Sequence, residues 1–134
     1  MSIVGGNHMT GLPLKHFVTG GAGFIGSHLV EHLLRAGNGV TVYDAFASGK
    51  GGWKDVPHLE RLNTIRADLL DKDALVQALR GHDMVWHLGA NTNIPDGVKD
   101  PSLDLKNCVI ATCNVLEAMR LNGVKRMAFA SSDT

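Results

Sequence analysis

The feature that most constrains this chain is a set of three glycines between an apolar segment and a helical pattern. Gly20, Gly23 and Gly26 follow the apolar run at residues 16–19, and the helical pattern begins near Phe24. In a strand–turn–helix that holds a pyrophosphate, the first glycine permits a sharp turn, the second lets the backbone approach the phosphates, and the third permits tight helix packing. The N–H groups of the first helical turn then face the anion. The spacing predicts a dinucleotide-binding turn, with a purely structural glycine turn as the alternative.

A carboxylate follows where ribose recognition requires one. Residues 40–44 read Val-Thr-Val-Tyr-Asp, a β-branched and aromatic run typical of a strand that ends at Asp44. The separation of Asp44 from Gly20 is close to the roughly 20 residues expected of the acid that accepts the ribose hydroxyls. Because the same charge would repel a 2′-phosphate, the sequence favours NAD over NADP. Lys50 and Lys54 nearby slightly weaken that preference.

The composition argues against several kinds of partner. Thirteen basic and thirteen acidic residues give a formal net charge of zero, and no basic stripe indicates nucleic-acid binding. No apolar run approaches the roughly 20 residues of a membrane span, and the N-terminus lacks a secretory signal pattern. Cys108 and Cys113 are the only cysteines, and their spacing in one predicted helix disfavours a mutual disulfide. We expect free, partly buried thiols and a cytoplasmic protein.

The rest of the chain alternates strand and helix patterns. Further strands are predicted at residues 62–67, 84–88 and 126–130. The first helix is expected to carry a stripe of Ile25, Leu29, Leu33 and Leu34, and Asp71 is expected to cap a second, short helix. A long helix at residues 102–122 is expected to face inward with Leu105, Val109, Cys113, Leu116 and Met119. Residues 45–57 and 91–101 are predicted to be loops.

This alternation predicts an α/β fold with a doubly wound parallel sheet of the Rossmann type and strand order 3-2-1-4-5. A ligand belongs at the carboxyl ends of strands 1 and 4, where the order reverses. Residues 1–14 are interpreted as a flexible leader and residues 15–134 as one NAD-binding domain.

Four side chains could be given a functional interpretation, and each also has a structural one. His87 lies in a predicted buried strand, where a packed, hydrogen-bonded histidine is commoner than a catalytic one. His28 and His32 have a zinc-helix spacing but lack the acidic partner of that motif, so they are interpreted as helix surface and no metal site is predicted. Trp53 is either a lid or a contact residue, and the sequence does not distinguish the two.

The motifs together resemble the extended short-chain dehydrogenases/reductases, and among them the NAD-dependent epimerase/dehydratase family. They are TGGAGFIGSHL, the Asp after VTVY, RADLLD, VWHLGA, the helix containing Asn107, and FASSDT, in that order. The resemblance is to the UDP-glucose 4-epimerase-like group. It implies an epimerase that removes hydride at a sugar hydroxyl of a nucleotide-sugar substrate and returns it. A nucleotide-sugar 4,6-dehydratase, a reductase and a non-catalytic NAD(H)-binding module are the alternatives.

The resemblance adds residues to those derived from the glycine turn. The cofactor-binding set becomes Gly20, Gly23, Phe24, Ile25, Gly26, Asp44, Ala45, Ser48, Gly49, Asp68, Leu69, Leu88, Gly89, Ala90, Asn107 and Ser131. Ser132 matches the residue that bonds the substrate hydroxyl, and Asp133 matches the acid of the dehydratases. Thr134 replaces the glutamate that follows it there, and Ala45 replaces the family's usual Asn.

The family's proton relay, a Tyr-x-x-x-Lys pair, is not found in these 134 residues, because Tyr43 is the only tyrosine and Ala47 stands four residues later. We therefore expect an N-terminal portion of a longer enzyme, with the C-terminal part of the fold missing and no turnover by this part alone. Family members commonly form homodimers through helices of this domain, and the helix from Ser102 is the candidate contact.

Overall fold

The computed structural model describes residues 12–47, 52–90 and 93–131. Most of the predicted leader therefore lies outside the described residues. So do four predicted site residues, Ser48, Gly49, Ser132 and Asp133.

Five parallel strands form one sheet in the order β3-β2-β1-β4-β5, which confirms the predicted fold class and strand order. The strands are β1 (Lys15–Thr19), β2 (Gly39–Asp44), β3 (Leu62–Arg66), β4 (Met84–His87) and β5 (Met127–Phe129). The α-helices are α1 (Phe24–Arg35), α2 (Lys72–Ala78), α3 (Ile94–Lys99), α4 (Pro101–Asp104) and α5 (Ala111–Asn122). A 3₁₀ turn at Leu59–Arg61 precedes β3, and a π-helix at Leu105–Ile110 joins α4 to α5.

Apolar side chains cover both faces of the sheet, because successive residues of a strand point to opposite sides. Phe17 and Tyr43 face α2 and α5, where they pack with Leu75, Val115 and neighbouring side chains. Val18 and Val42 face α1 and pack with Val30, Leu34 and the side chains around them. The two layers hold the carboxyl ends of the central strands at a common edge.

Asp71 caps α2 as predicted, since its carboxylate accepts a hydrogen bond from the Ala74 N–H at 3.1 Å. The inner face of α1 differs in part from the prediction. Leu33 and Leu34 are buried as predicted, whereas Ile25 is exposed and Leu29 is only partly buried. Gly26 and Val30 complete the buried side of this helix. The stripe begins at a glycine because the first turn of α1 lies too close to the preceding backbone for a side chain to fit there.

The prediction for the long helix was wrong about most of its buried face, since only Met119 of the five predicted residues is buried. Leu105, Val109 and Leu116 are exposed, and so is Cys113. The side chains packed inward from α5 are Ala111, Val115, Ala118 and Met119. The π-helix adds a residue to the turn and so rotates the following α5 relative to a continuous α-helix. Two of the inward residues are alanines, which a search for large apolar residues passes over.

The segment at residues 91–101 was also predicted wrongly, because it contains α3 rather than only loop. Asn93 caps this helix by accepting from the Asp96 N–H, and Pro95 occupies its first turn, where proline is tolerated. Gly97 is buried against α4, since a Cβ there would lie 2.4 Å from Asp104 Oδ2. Asn93 as an N-cap and Pro95 in the first turn are signals from which a helix start could have been predicted.

Helices across the described residues are all too short or too polar to cross a lipid bilayer.

The burial pattern of α5 predicts that two neighbouring substitutions differ in their effect on the free energy of unfolding. Ala118→Leu should lower the free energy of unfolding by about 1–3 kcal/mol, because Ala118 is fully buried in the layer shared with α2. Leu116→Ala should change it by less than about 0.5 kcal/mol, because Leu116 lies on the surface. Urea unfolding of both variants measures this, and the reverse ranking would show that the long helix buries the face predicted from its sequence.

Candidate functional site

A cleft of about 400 Å³ lies at the carboxyl edge of the sheet, where the order reverses between β1 and β4. The residues that line it are Gly20, Gly23, Tyr43, Asp44, Ala45, Ala47, Ala67, Asp68, Leu69, Leu88, Gly89, Ala90, Asn93, Asn107 and Ala111. Most of the described residues that the sequence predicted to bind a cofactor are in this set. Tyr43, Ala47, Ala67, Asn93 and Ala111 were not predicted.

The glycine turn has the geometry that its sequence predicted. Gly20 adopts a φ of +67°, and its N–H donates to the Tyr43 carbonyl oxygen at 3.1 Å. Gly26 packs under the turn so closely that a Cβ would lie 2.2 Å from the Gly20 carbonyl oxygen. Any larger residue at position 26 would push α1 away from the end of β1.

The start of α1 is open toward an anion. Helix geometry leaves the N–H groups of Phe24, Ile25 and Gly26 without carbonyl partners inside the helix. Gly23, the N-cap, provides no side-chain cap, and the first turn contains no acidic residue. The side chains of Phe24 and Ile25 are 82% and 69% exposed and do not line the cleft, so they do not plug the turn. These features fit a diphosphate.

Asp44 lies at the end of β2 and bonds the glycine turn itself. Its Oδ2 accepts from the Ala22 N–H at 2.9 Å, and its Oδ1 accepts from the Phe46 N–H at 2.6 Å. A carboxylate has about four acceptor positions, so two remain for the hydroxyls of a ribose. The sequence predicted the ribose role alone and missed the bond to the turn.

Two hydrogen bonds hold the wall of the cleft at the end of β3. The Tyr43 hydroxyl donates to the Asp68 carbonyl oxygen at 3.1 Å, and the Asn114 side-chain amide donates to the Leu69 carbonyl oxygen at 2.9 Å. Burial, and then the negative charges of Asp71 and Asp68, raise the pKa of Tyr43 to about 12. Tyr43 is therefore a neutral brace at ordinary pH.

The floor of the cleft is backbone at the end of β4. A Cβ at Gly89 would lie 2.7 Å from Leu69 Cδ1, and a Cβ at Gly20 would lie 2.8 Å from the Gly89 nitrogen. The two glycines thus bring the first turn and the end of β4 into direct contact. His87, just below, is buried and bonded to Thr19 and Thr112, as predicted for a packed histidine. Burial lowers its pKa.

Several candidates do not reach the cleft. Ser131 is exposed beyond β5 and does not line it. Trp53 packs against α1, donating from Nε1 to the Ser27 carbonyl oxygen at 3.2 Å, so it is a packing residue. His28 and His32 are exposed on α1. In the described part of the chain no three His, Cys, Asp or Glu side chains form a metal-binding group.

A glycine turn open to a diphosphate, a carboxylate at the end of the next strand and a backbone floor at the switch point define a dinucleotide-binding Rossmann domain. Comparison with known proteins identifies the family to which this domain belongs. The model of the "NAD dependent epimerase/dehydratase family" matches residues 16–134, so the chain belongs to that family. The predicted cofactor, NAD, is the cofactor of the family.

The relatives are enzymes that act on nucleotide sugars. The UDP-glucose 4-epimerase of Mycolicibacterium smegmatis is 34% identical over 121 residues, which is 89% of this chain and 39% of the relative. The UDP-N-acetyl-alpha-D-glucosaminuronate decarboxylase of Bacillus cytotoxicus is 35% identical over 115 residues, 86% of this chain and 35% of the relative.

A solved structure agrees with these relatives. The Thermus thermophilus UDP-glucose 4-epimerase, in complex with NAD, superposes with a TM-score of 0.78 and 40% identity, covering 89% of this chain and 38% of that one. The chain thus spans less than two fifths of the proteins it matches.

The single tyrosine makes the brace at Asp68 directly measurable. Absorbance at 295 nm should report phenolate formation near pH 12 in the folded chain and near pH 10 in urea. Because the folded pKa is the higher one, this tyrosine stabilises the folded state below pH 10, and that contribution is lost as the pH rises toward 12. A midpoint near 10 in the folded chain would mean that the hydroxyl is exposed and does not brace Asp68.

Proposed function

We propose that this chain is the NAD-binding part of a nucleotide-sugar epimerase that acts on a UDP-sugar in the manner of UDP-glucose 4-epimerase. The observation that carries the proposal is the cleft at the β1–β4 switch point, which places the glycine turn, Asp44 and the Leu88–Gly89 backbone around one volume. The family and the named relatives support the class of reaction.

In this proposal each wall of the cleft receives one part of the dinucleotide. The glycine turn takes the diphosphate on N–H groups of α1, and Asp44 takes the adenosine ribose on its free acceptor positions. Asp68 and Leu69 meet the adenine. Gly89 leaves room under the cofactor, and Asn107 approaches its nicotinamide side.

Bound NAD would supply a site that accepts hydride from a sugar carbon and returns it, which inverts the C4 centre when the return is to the other face. The residues of this chain contribute binding, orientation and exclusion of water. The proton at the sugar hydroxyl needs another group, because Tyr43 is buried and donates its hydroxyl to Asp68. We assign that role to a Tyr-x-x-x-Lys pair like that of the family, which these 134 residues do not contain.

A non-catalytic NAD(H)-binding module is the second candidate. The observation that favours it is the position of Tyr43, the chain's only tyrosine, whose hydroxyl serves structure and not proton transfer. Within the enzyme class, the similarity to a decarboxylase at nearly the same identity leaves other reactions of the family as alternatives.

Calorimetric titration of the chain with NAD tests the binding step. Asp44→Asn should weaken NAD binding by about 10- to 100-fold, because a charge-assisted hydrogen bond contributes about 1.5–3 kcal/mol. Wild type should prefer NAD to NADP, and the substitution should narrow that preference because the repulsion of a 2′-phosphate is lost.

Asp83→Asn is the matched control. Asp83 also accepts a backbone N–H, that of Lys15 at 2.8 Å, but it lies at the amino end of β1, outside the cleft. This variant should bind NAD like the wild type. Absence of any heat with NAD in a well-folded wild-type chain would refute the proposed function.

Activity assays separate the enzyme from the binding module. The chain alone should bind NAD and leave UDP-galactose unchanged, whereas the product of the full reading frame that contains it should interconvert UDP-glucose and UDP-galactose. A full reading frame without a Tyr-x-x-x-Lys pair downstream, or without this interconversion, would favour the binding module or another reaction of the family.

A further inference from the structure

We propose that a buried hydrogen-bond chain, Thr19–His87–Thr112, is a positioning device that sets the floor of the NAD cleft against the π-helix carrying Asn107. The three residues do not line the cleft, so they would act through the backbone that does. The inference rests on the proposed NAD site and adds residues that control its geometry.

The donor and acceptor of each hydrogen bond among Thr19, His87 and Thr112 follow from the other bonds that the two threonines make. The Thr112 hydroxyl donates to the Cys108 carbonyl oxygen, so its oxygen accepts from His87 Nε2–H, at 3.0 Å. The Thr19 hydroxyl oxygen accepts from two backbone N–H groups, so the hydroxyl donates to His87 Nδ1, at 2.6 Å, and Nδ1 carries no proton. His87 is thereby held as a neutral Nε2–H tautomer. Its burial, which lowers its pKa, favours the same state.

At one end the chain terminates on the cleft floor. The Thr19 hydroxyl oxygen accepts from the N–H groups of Leu88 and Gly89, each at 3.2 Å. The Leu88 N–H also reaches the Thr19 carbonyl oxygen, at 3.2 Å. Gly89 has only the hydroxyl as its acceptor among the described residues. The position of the Gly89 backbone therefore depends on the Thr19 hydroxyl, which is itself oriented by His87.

At the other end the chain terminates on the π-helix. Cys108, whose carbonyl receives the Thr112 hydroxyl, is the neighbour of Asn107, a lining residue of the cleft. A threonine that bonds back to a carbonyl one turn earlier often bends its helix, and here that bond lies where the π-helix joins α5. One imidazole thus connects the floor of the cleft with the turn that presents Asn107.

The floor has little room to move. Gly89 lies between the first turn and Leu69, where hypothetical Cβ atoms would already be closer than 3 Å to neighbouring atoms. Loss of the Gly89 acceptor would thus displace either the backbone under the cofactor or the glycine turn that holds the diphosphate.

The competing interpretation is a satisfied core histidine that contributes only stability. A second buried threonine–histidine pair, Thr41 and His82, provides a control that distinguishes the two interpretations. Thr41 Oγ1 and His82 Nε2 are 2.8 Å apart, also with a largely buried threonine, but neither residue lines the cleft and neither contacts its floor. Removing the Thr41 hydroxyl should lower the free energy of unfolding without changing the affinity for NAD.

The experiment measures NAD affinity by calorimetry and unfolding free energy in urea for Thr19→Val, Thr19→Ser, Thr112→Val and Thr41→Val. Thr19→Val should weaken NAD binding by about tenfold, and Thr112→Val by about threefold, as expected for one lost hydrogen bond. Thr19→Ser should restore affinity to within about twofold of wild type. Thr41→Val should lose stability comparably and keep wild-type affinity.

Nitrogen-15 NMR of the imidazoles provides a second readout, with His87→Gln to assign the signal. His87 should show a neutral ring with the proton on Nε2 at neutral pH. A protonated or Nδ1–H ring would overturn the inference. So would wild-type affinity in both valine variants at positions 19 and 112. If Thr19→Val fails to fold, the NAD affinity of Thr112→Val alone tests the inference.

The outcomes distinguish this inference from the proposed function. A wild-type chain that does not bind NAD would overturn both, whereas wild-type affinity in Thr19→Val and Thr112→Val would overturn the inference alone.

Discussion

The contact between Gly20 and Gly89 is the constraint on which the candidate site depends. It joins the turn after β1 to the end of β4, and neither position has space for a side chain. Because these strands are neighbours at the switch point, the contact places a helix N-terminus and a flat stretch of backbone on the same cleft. No side chain therefore separates the two stretches of main chain that would meet a cofactor.

Polar side chains around this contact mainly orient backbone. Asp44 bonds the glycine turn, Tyr43 bonds the carbonyl of Asp68, and Asn114 bonds that of Leu69. Thr19 does the same for Gly89. A binding surface built from oriented peptide groups suits a ligand with a diphosphate and two riboses, since such groups supply fixed donors without losing side-chain entropy. Asp44 illustrates this arrangement, because its carboxylate accepts from two backbone N–H groups while it lines the cleft.

The sequence predicted the parts of the fold that rest on local rules. The glycine spacing, the strand ending at Asp44 and the cap at Asp71 each have a short-range physical cause, and each was confirmed by the backbone conformation or hydrogen bonds. The inner face of α5 and the helix at Ile94–Lys99 were missed. The first depends on a π-helix that shifts the register, and the second on reading Asn93 and Pro95 as a helix start.

The hydrogen bonds that brace the site were not predictable from the sequence, because Tyr43–Asp68 and Thr19–His87 join residues far apart in the chain.

The π-helix has a consequence for how such sequences are aligned. Each residue in a helix turns the chain by about 100°. With α5 kept in place on α2, deleting one residue from positions 108–110 would rotate Asn107 by about 100° and turn another side chain toward the cleft. Segment length, as much as residue identity, therefore selects the amide that faces the cleft, and a one-residue gap in an alignment here signifies a changed site.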